Sequence, residues 1–127
     1  MKEKFLFIFF TSDFYKFYYS LNTVATIKAS EKDAIVFFSG YSCNFLRINW
    51  QDEKVKKVHN KIIENGMEDY KSLLNLCKDL NIKFYYCSTA FSFLNIKSDD
   101  IFPDLNINSE GLYSIINSYK TYQIIFI

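Results

Sequence analysis

The stretch KFLFIFFTSD, residues 4–13, decides the fold class of this chain. Residues 4–11 are almost continuously apolar and aromatic, which is typical of a strand that is buried on both faces of a parallel sheet. Ser12 and Asp13 then offer side chains that cap helices well. The stretch therefore predicts a strand–turn–helix unit, which is the first half of a βαβ motif.

The same succession of buried strand and amphipathic helix recurs along the chain. Further strands are predicted at residues 34–39 (AIVFFS), 82–87 (IKFYYC) and 121–127 (TYQIIFI). Helices are predicted over residues 14–25, 52–64 and 67–80, with a short one after Cys87 and a last one capped by Ser109. This alternation predicts one α/β domain over residues 1–127, with three α/β/α layers and a mostly parallel sheet of about five strands, flavodoxin-like in appearance.

Composition excludes several classes of function. The net charge is +1, so the chain offers no electrostatic argument for binding to nucleic acid or to an anionic membrane. The apolar runs are shorter than the roughly 20 residues that a membrane-spanning helix needs. With no export signal, we expect a cytoplasmic protein whose three cysteines are free thiols.

Common cofactor motifs are missing from the sequence. The first strand–helix turn, TSDFY at residues 11–15, has no glycine and an acidic residue, which disfavours flavin and nucleotide phosphates. The stretch SGYSC at residues 39–43 is not the GxSxG motif of serine hydrolases. The cysteines form no CxxC pair and the chain has one histidine, so we expect neither a bound metal nor a cofactor.

Right-handed crossovers should bring the carboxyl ends of the strands to one edge of the sheet, where ligands bind in such folds. Three loops are expected there, at residues 11–13, 40–43 and 87–92. Their polar and aromatic side chains are the candidate binding residues: Thr11, Ser12, Asp13, Tyr41, Ser88, Thr89 and Ser92. If the crevice binds a small molecule, Tyr41 and Phe91 are expected in its apolar wall.

Cys87 is the best chemical candidate in the sequence. It ends a predicted strand and precedes a predicted helix, where free backbone N–H groups favour the thiolate, the reactive form of cysteine. The alternative is a structural cysteine that closes a buried strand. Cys43 is expected at the same sheet edge, as either a second thiol or a loop cysteine, whereas Cys77 lies among leucines on an apolar helix face and is expected in the core.

The segment from residue 80 to residue 127 resembles the DsrE/DsrF-like sulfur-relay proteins. In that family a cysteine follows a strand, and a short helix, a G-I-x-x-x-D-I/L type segment and a final helix–strand unit come after it. The middle piece here is NIKSDDI, residues 95–101, with Asn95 where glycine is commoner. The first half agrees in its buried strand, polar turn, long helix and second strand DAIVFFSG, residues 33–40, so the resemblance covers nearly the whole chain.

The resemblance implies a persulfide carrier, or sulfurtransferase, that holds sulfur on Cys87 and exchanges it with donor and acceptor proteins. It also implies a homo-oligomer and no cofactor. Because many relatives have no assigned role and some lack the cysteine, two alternatives stay open. One is a non-catalytic oligomeric assembly module of the same fold, and the other is a small-molecule binder of that fold. In both alternatives Cys87 is structural.

Overall fold

The apolar stretches form the strands of one sheet in the computed structural model, which describes residues 2–50 and 52–127. The strands, named β1 to β5 in chain order, are Lys4–Phe9, Asp33–Phe38, Lys83–Cys87, Asn108–Glu110 and Gln123–Phe126. The helices, named α1 to α5, are Phe14–Ala29, Glu53–Glu64, Tyr70–Asp79, Ser88–Leu94 and Leu112–Ser118. Two 3₁₀ segments also form, at Gly40–Leu46 and Ser98–Asp100.

The sheet has five strands in the order β4-β3-β2-β1-β5, and each neighbouring pair is parallel. β1 lies between β2 and β5, inside the sheet, and helices cover both of its faces, which explains why its sequence is apolar on both sides. The predicted α/β/α architecture with a parallel sheet is therefore confirmed.

The two faces of the sheet are covered unequally. The steps from β1 to β2, β3 and β4 all run in one direction, so right-handed crossovers place α1 to α4 on one face. Phe9, Phe17 and Phe38 pack edge to face or tilted in that large core. On the other face α5 alone covers a small cluster of buried side chains: Leu6, Ile8, Ile35, Phe37 and Ile115.

The prediction that Ser109 caps the last helix is wrong. Ser109 lies in β4, paired with Tyr86 of β3, and Gly111 is the N-cap residue of α5. The short polar segment has no strand-like apolar pattern of its own, and pairing with the edge of β3 overrides its local preference. The carboxyl end of β3 thus gains a neighbour that the sequence did not predict.

Among the described residues, no helix is both long and apolar enough to cross a membrane.

Candidate functional site

Cys87 lies at the carboxyl edge of the sheet, where β3 ends and α4 begins. It is the last residue of β3 and the N-cap residue of α4, with φ −83° and ψ 116°, and its side chain makes no capping hydrogen bond. Cys87 is partly exposed, whereas Cys43 and Cys77 are fully buried. Of the three cysteines, Cys87 is therefore the one in contact with solvent.

Two contacts hold α4 in place. In the middle of the helix, the Phe91 ring stacks on Tyr86 with the centroids 3.9 Å apart. At its carboxyl end, the Arg47 guanidinium donates a hydrogen bond of 2.6 Å to the Leu94 carbonyl oxygen. Asn95 follows in the left-handed conformation, with φ 56°, and ends the helix.

Cys87 opens into an apolar pocket of about 340 Å³. The pocket has no charged residue in its lining, which consists of Phe10, Gly40, Tyr41, Cys87, Thr89, Ala90 and Phe93. The Phe93 ring is 78% exposed and stands at the rim. Such walls suit an uncharged or apolar group and give no cation to bind a free anion.

Gly40 makes room for the aromatic wall of this pocket. It has φ +50°, and a Cβ atom there would lie 2.3 Å from the ring of Phe10. Phe10 in turn contacts Tyr41 edge to face at 5.8 Å and stacks on Phe126 at 5.9 Å. A glycine is therefore required here both for the backbone conformation and for the close approach of Phe10.

Two of the three predicted binding residues of the first turn line a neighbouring depression, and Asp13 does not. Thr11 and Ser12 line it, together with the Phe10 and Tyr41 rings that it shares with the Cys87 pocket. The Asp13 carboxylate accepts a hydrogen bond of 2.9 Å from the Lys16 amide and so caps α1, as its position predicted. The Thr11 hydroxyl accepts a hydrogen bond of 3.0 Å from the Asp13 amide.

The remaining predicted residues divide between the pocket and its surroundings. Thr89 and Tyr41 line the pocket with Cys87, whereas Ser88 and Ser92 are exposed and do not. Phe91 was expected in the wall, but it is buried beneath Tyr86. Phe93, two residues further along α4, takes that place.

Cys43 lies inside the 3₁₀ segment that follows β2, with its side chain fully buried. Burial, together with a smaller effect of the Cys87 charge, raises the pKa of its thiol to about 12, although hydrogen bonds from the backbone of Cys87 and of Cys43 oppose the rise. The 3₁₀ segment that holds Cys43 contacts β3, which ends at Cys87. Burial likewise raises the pKa of Cys77 to about 12, as expected for a thiol in the core.

Sequence reasoning missed several residues around Cys87. Phe10 continues the alternation of Leu6 and Ile8, so its side chain leaves the sheet on the same face, which was a usable signal. Glu110 lies directly opposite Cys87 in the parallel register of β3 and β4, and only the unpredicted strand β4 reveals this. Among residues 2–50 and 52–127, no group of three or more His, Cys, Asp and Glu side chains is placed to hold a metal.

Comparisons with known proteins support the fold and leave the activity open. No family model matches the chain, and no curated protein matches it in sequence. The crystal structure of the ychN protein from E. coli is similar, with a TM-score of 0.71 and 13% identity over 98% of this chain and 99% of that one. A protein of unknown function from Methanobacterium thermoautotrophicum, MTH1491, has a TM-score of 0.69 and 12% identity over 99% and 100%.

At 13% and 12% identity, the likeness to these two structures shows a shared fold over nearly the whole chain.

Proposed function

We propose that this protein carries sulfur as a persulfide on Cys87. The observation that carries the proposal is the difference among the three cysteines, because only Cys87 is partly exposed and opens into a pocket at the carboxyl edge of the sheet. Parallel α/β folds use this edge for ligands and chemistry. The resemblance of residues 80–127 to the DsrE/DsrF-like sulfur-relay proteins supports the proposal, as does the fold shared with the two solved structures.

The proposed chemistry uses the Cys87 thiolate and two partner thiols. The thiolate attacks the outer sulfur of a donor persulfide, and the donor leaves as a thiolate. An acceptor thiolate then attacks the outer sulfur on Cys87, which regenerates the Cys87 thiolate. Each transfer exchanges one sulfur–sulfur bond for another, so neither step needs a cofactor or an external oxidant.

The proposed partners are a sulfur donor protein and an acceptor protein in the cytoplasm, with further copies of this chain in a homo-oligomer. Exposed aromatic side chains beside the site support protein partners, since Phe93 is 78% exposed and Phe126 65%. We expect an interface that buries over about 1,000 Å². Light scattering at micromolar concentration tests the oligomer, and a monomer alone would contradict that part of the proposal.

Loading with inorganic polysulfide tests the proposed function. The protein is reduced and incubated with polysulfide without oxygen, and its intact mass is measured by mass spectrometry. A gain of about 32 Da, the mass of one sulfur, is expected. Cys87→Ser should abolish the gain, whereas the control Cys77→Ala should keep it. A folded wild-type protein that gains no sulfur, or a Cys87→Ser variant that gains as much, would overturn the proposal.

A second candidate is a small-molecule binder of the same fold with a structural Cys87. The apolar pocket favours it, since about 340 Å³ lies at the lower end of the range for ligand sites. A fluorescent apolar probe separates the two functions. Tight binding that Cys87→Ser leaves intact, together with failure to load sulfur, would favour the binder.

A further inference from the structure

Cys43 is a buried thiol for which the carrier chemistry has no use. It lies in the 3₁₀ segment Gly40–Leu46, which contacts both β3 and α4, the two elements that meet at Cys87. Gly40 and Tyr41 of the same segment line the Cys87 pocket. The segment therefore forms one wall of the site, and Cys43 stands on its inner side, away from solvent.

The two cysteines lie on adjoining elements at this wall. Phe38, two residues before the 3₁₀ segment, pairs with Tyr86, the residue before Cys87, and the segment itself contacts β3 and α4. Cys87 packs against the same large core to which Cys43 belongs. Cys87 is thus approachable from two sides, by solvent or a partner through the pocket and by Cys43 from within.

The two directions of approach lead to different products. A partner at the pocket meets the outer sulfur of a Cys87 persulfide and takes it away. Cys43 approaches from the buried side of Cys87, so the sulfur that it meets first is the inner one, which is the Sγ atom of Cys87 itself. Attack there makes the outer sulfur the leaving group.

We propose, on the basis of the proposed function, that Cys43 unloads an uncollected Cys87 persulfide by closing a Cys43–Cys87 disulfide and releasing sulfide. The Cys43 sulfur, after losing its proton, attacks Cys87 Sγ, and the bond between Sγ and the outer sulfur breaks. The electron pair leaves with the outer sulfur as hydrosulfide, which takes up the proton that Cys43 gave to become hydrogen sulfide. The two cysteine sulfurs together lose two electrons and the outer sulfur gains them.

Burial makes this route slow, which suits a reaction that competes with delivery to an acceptor. Nucleophilic attack needs the thiolate, and desolvation in the core disfavours that form of Cys43. An acceptor that arrives promptly therefore collects the sulfur first. The Cys43–Cys87 disulfide that forms in this reaction is reversible. A thiol can reduce it, which regenerates the Cys87 thiol for another round of sulfur transfer.

The test follows persulfide-loaded protein over time without oxygen and without an acceptor. Wild type is loaded with inorganic polysulfide, freed of excess reagent, and then sampled for intact mass and released sulfide. We expect the mass to fall from about 32 Da above that of the reduced protein to about 2 Da below it, as the disulfide forms. One sulfide should appear for each disulfide, and peptide mapping should join Cys43 to Cys87.

Cys43→Ala should load as wild type does and keep its sulfur several-fold longer, with no loss of 2 Da (about two hydrogens). Cys77→Ala is the matched control, since it removes another buried thiol and should discharge like wild type. Cys43→Ser is made alongside, so that one folded variant is available. Wild type that loads but discharges at the rate of the Cys43 variants, or never forms the disulfide, overturns this inference alone.

Treatment of the unloaded protein with diamide, a thiol oxidant, tests the pairing separately. A Cys43–Cys87 disulfide in the oxidised wild type supports the inference, and its absence while Cys87 is consumed overturns it. Failure of wild type and all variants to load sulfur would instead overturn the proposed function, and this inference with it.

Discussion

Cys77 and Cys87 stand at opposite ends of the segment that contains β3, and their surroundings differ in almost every respect. Cys77 is fully buried in α3, with its sulfur 3.9 Å from the Leu21 carbonyl oxygen. Cys87 is partly exposed at the carboxyl edge of the sheet and opens into a pocket. The burial of each sulfur, and not the residue type, decides which thiol is available for chemistry.

Alkylation should show the largest difference between the two cysteines. Cys77 and Cys43 react only when the core opens locally, and each 1.4 kcal/mol of opening free energy slows labelling about tenfold. We therefore expect iodoacetamide at pH 7 to label Cys87 about 100-fold faster than either buried thiol. Peptide mapping over time measures the three rates in one sample. Equal rates at Cys87 and Cys77 would contradict the expected difference in exposure between these two thiols.

The free energy of unfolding should depend more on Cys77 than on Cys87, which is the reverse of the order expected for alkylation. Cys77→Ser places a hydroxyl group in an apolar core, which should lower the free energy of unfolding by about 2 kcal/mol. Cys87→Ser changes a partly exposed group, so its cost should stay below about 0.5 kcal/mol. Urea denaturation measures both, and a larger loss for Cys87→Ser would indicate that Cys87 is structural.

Gly40→Ala should change the wall of the Cys87 pocket without affecting Cys77. The new methyl group would meet the Phe10 ring, and the backbone at φ +50° is strained for alanine, so we expect a loss of about 1 kcal/mol. Displacement of Phe10 should also change the alkylation rate of Cys87 and leave that of Cys77 unaltered. Gly111→Ala is a useful control, because a Cβ atom there meets nothing within 4 Å.

The amino end of the sheet, unlike the apolar Cys87 pocket, carries a charged network that should give a small pH effect. Burial raises the pKa of Asp33, but hydrogen bonds from Tyr122 and Lys28 outweigh it and leave this pKa below its ordinary value. A lowered folded pKa stabilises the fold above the unfolded pKa of about 4, and this stabilisation is lost as the pH falls through the folded pKa.

Unfolding of Asp33→Asn should therefore depend less on pH than that of wild type below about pH 4. Tyr122→Phe removes one of the hydrogen bonds to Asp33, at 2.5 Å, and should show part of the same change. An unchanged acid slope in both variants would contradict the assignment of this network. Alkylation of Cys87 should not differ between wild type and either variant at pH 7.

Much of this fold could be predicted because hydrophobic pattern and capping agree. The apolar run of β1, the Asp13 cap and the buried face of α1 each indicate the same strand–helix unit, and all are found. β4 could not be predicted, because its stability comes from pairing with β3 and not from its own residues.

The same distinction applies to the site. The place of Cys87 at a strand-to-helix junction follows from local sequence, as does the edge on which it lies. The pocket does not, because Phe10, Gly40 and Phe93 come from three separate loops or helices and meet only in the folded chain. The burial of Phe91 in place of Phe93 depends on its stacking with Tyr86, which no periodicity in a seven-residue helix specifies.

The most direct test of the account is the position of sulfur in polysulfide-treated wild-type protein. After the free thiols are blocked and the protein is digested, mass spectrometry compares the peptides that carry Cys87 and Cys77 within one sample. The account predicts an added sulfur of about 32 Da on the Cys87 peptide and none on the Cys77 peptide. Equal sulfur on both peptides, or none on the Cys87 peptide of the folded protein, would contradict it.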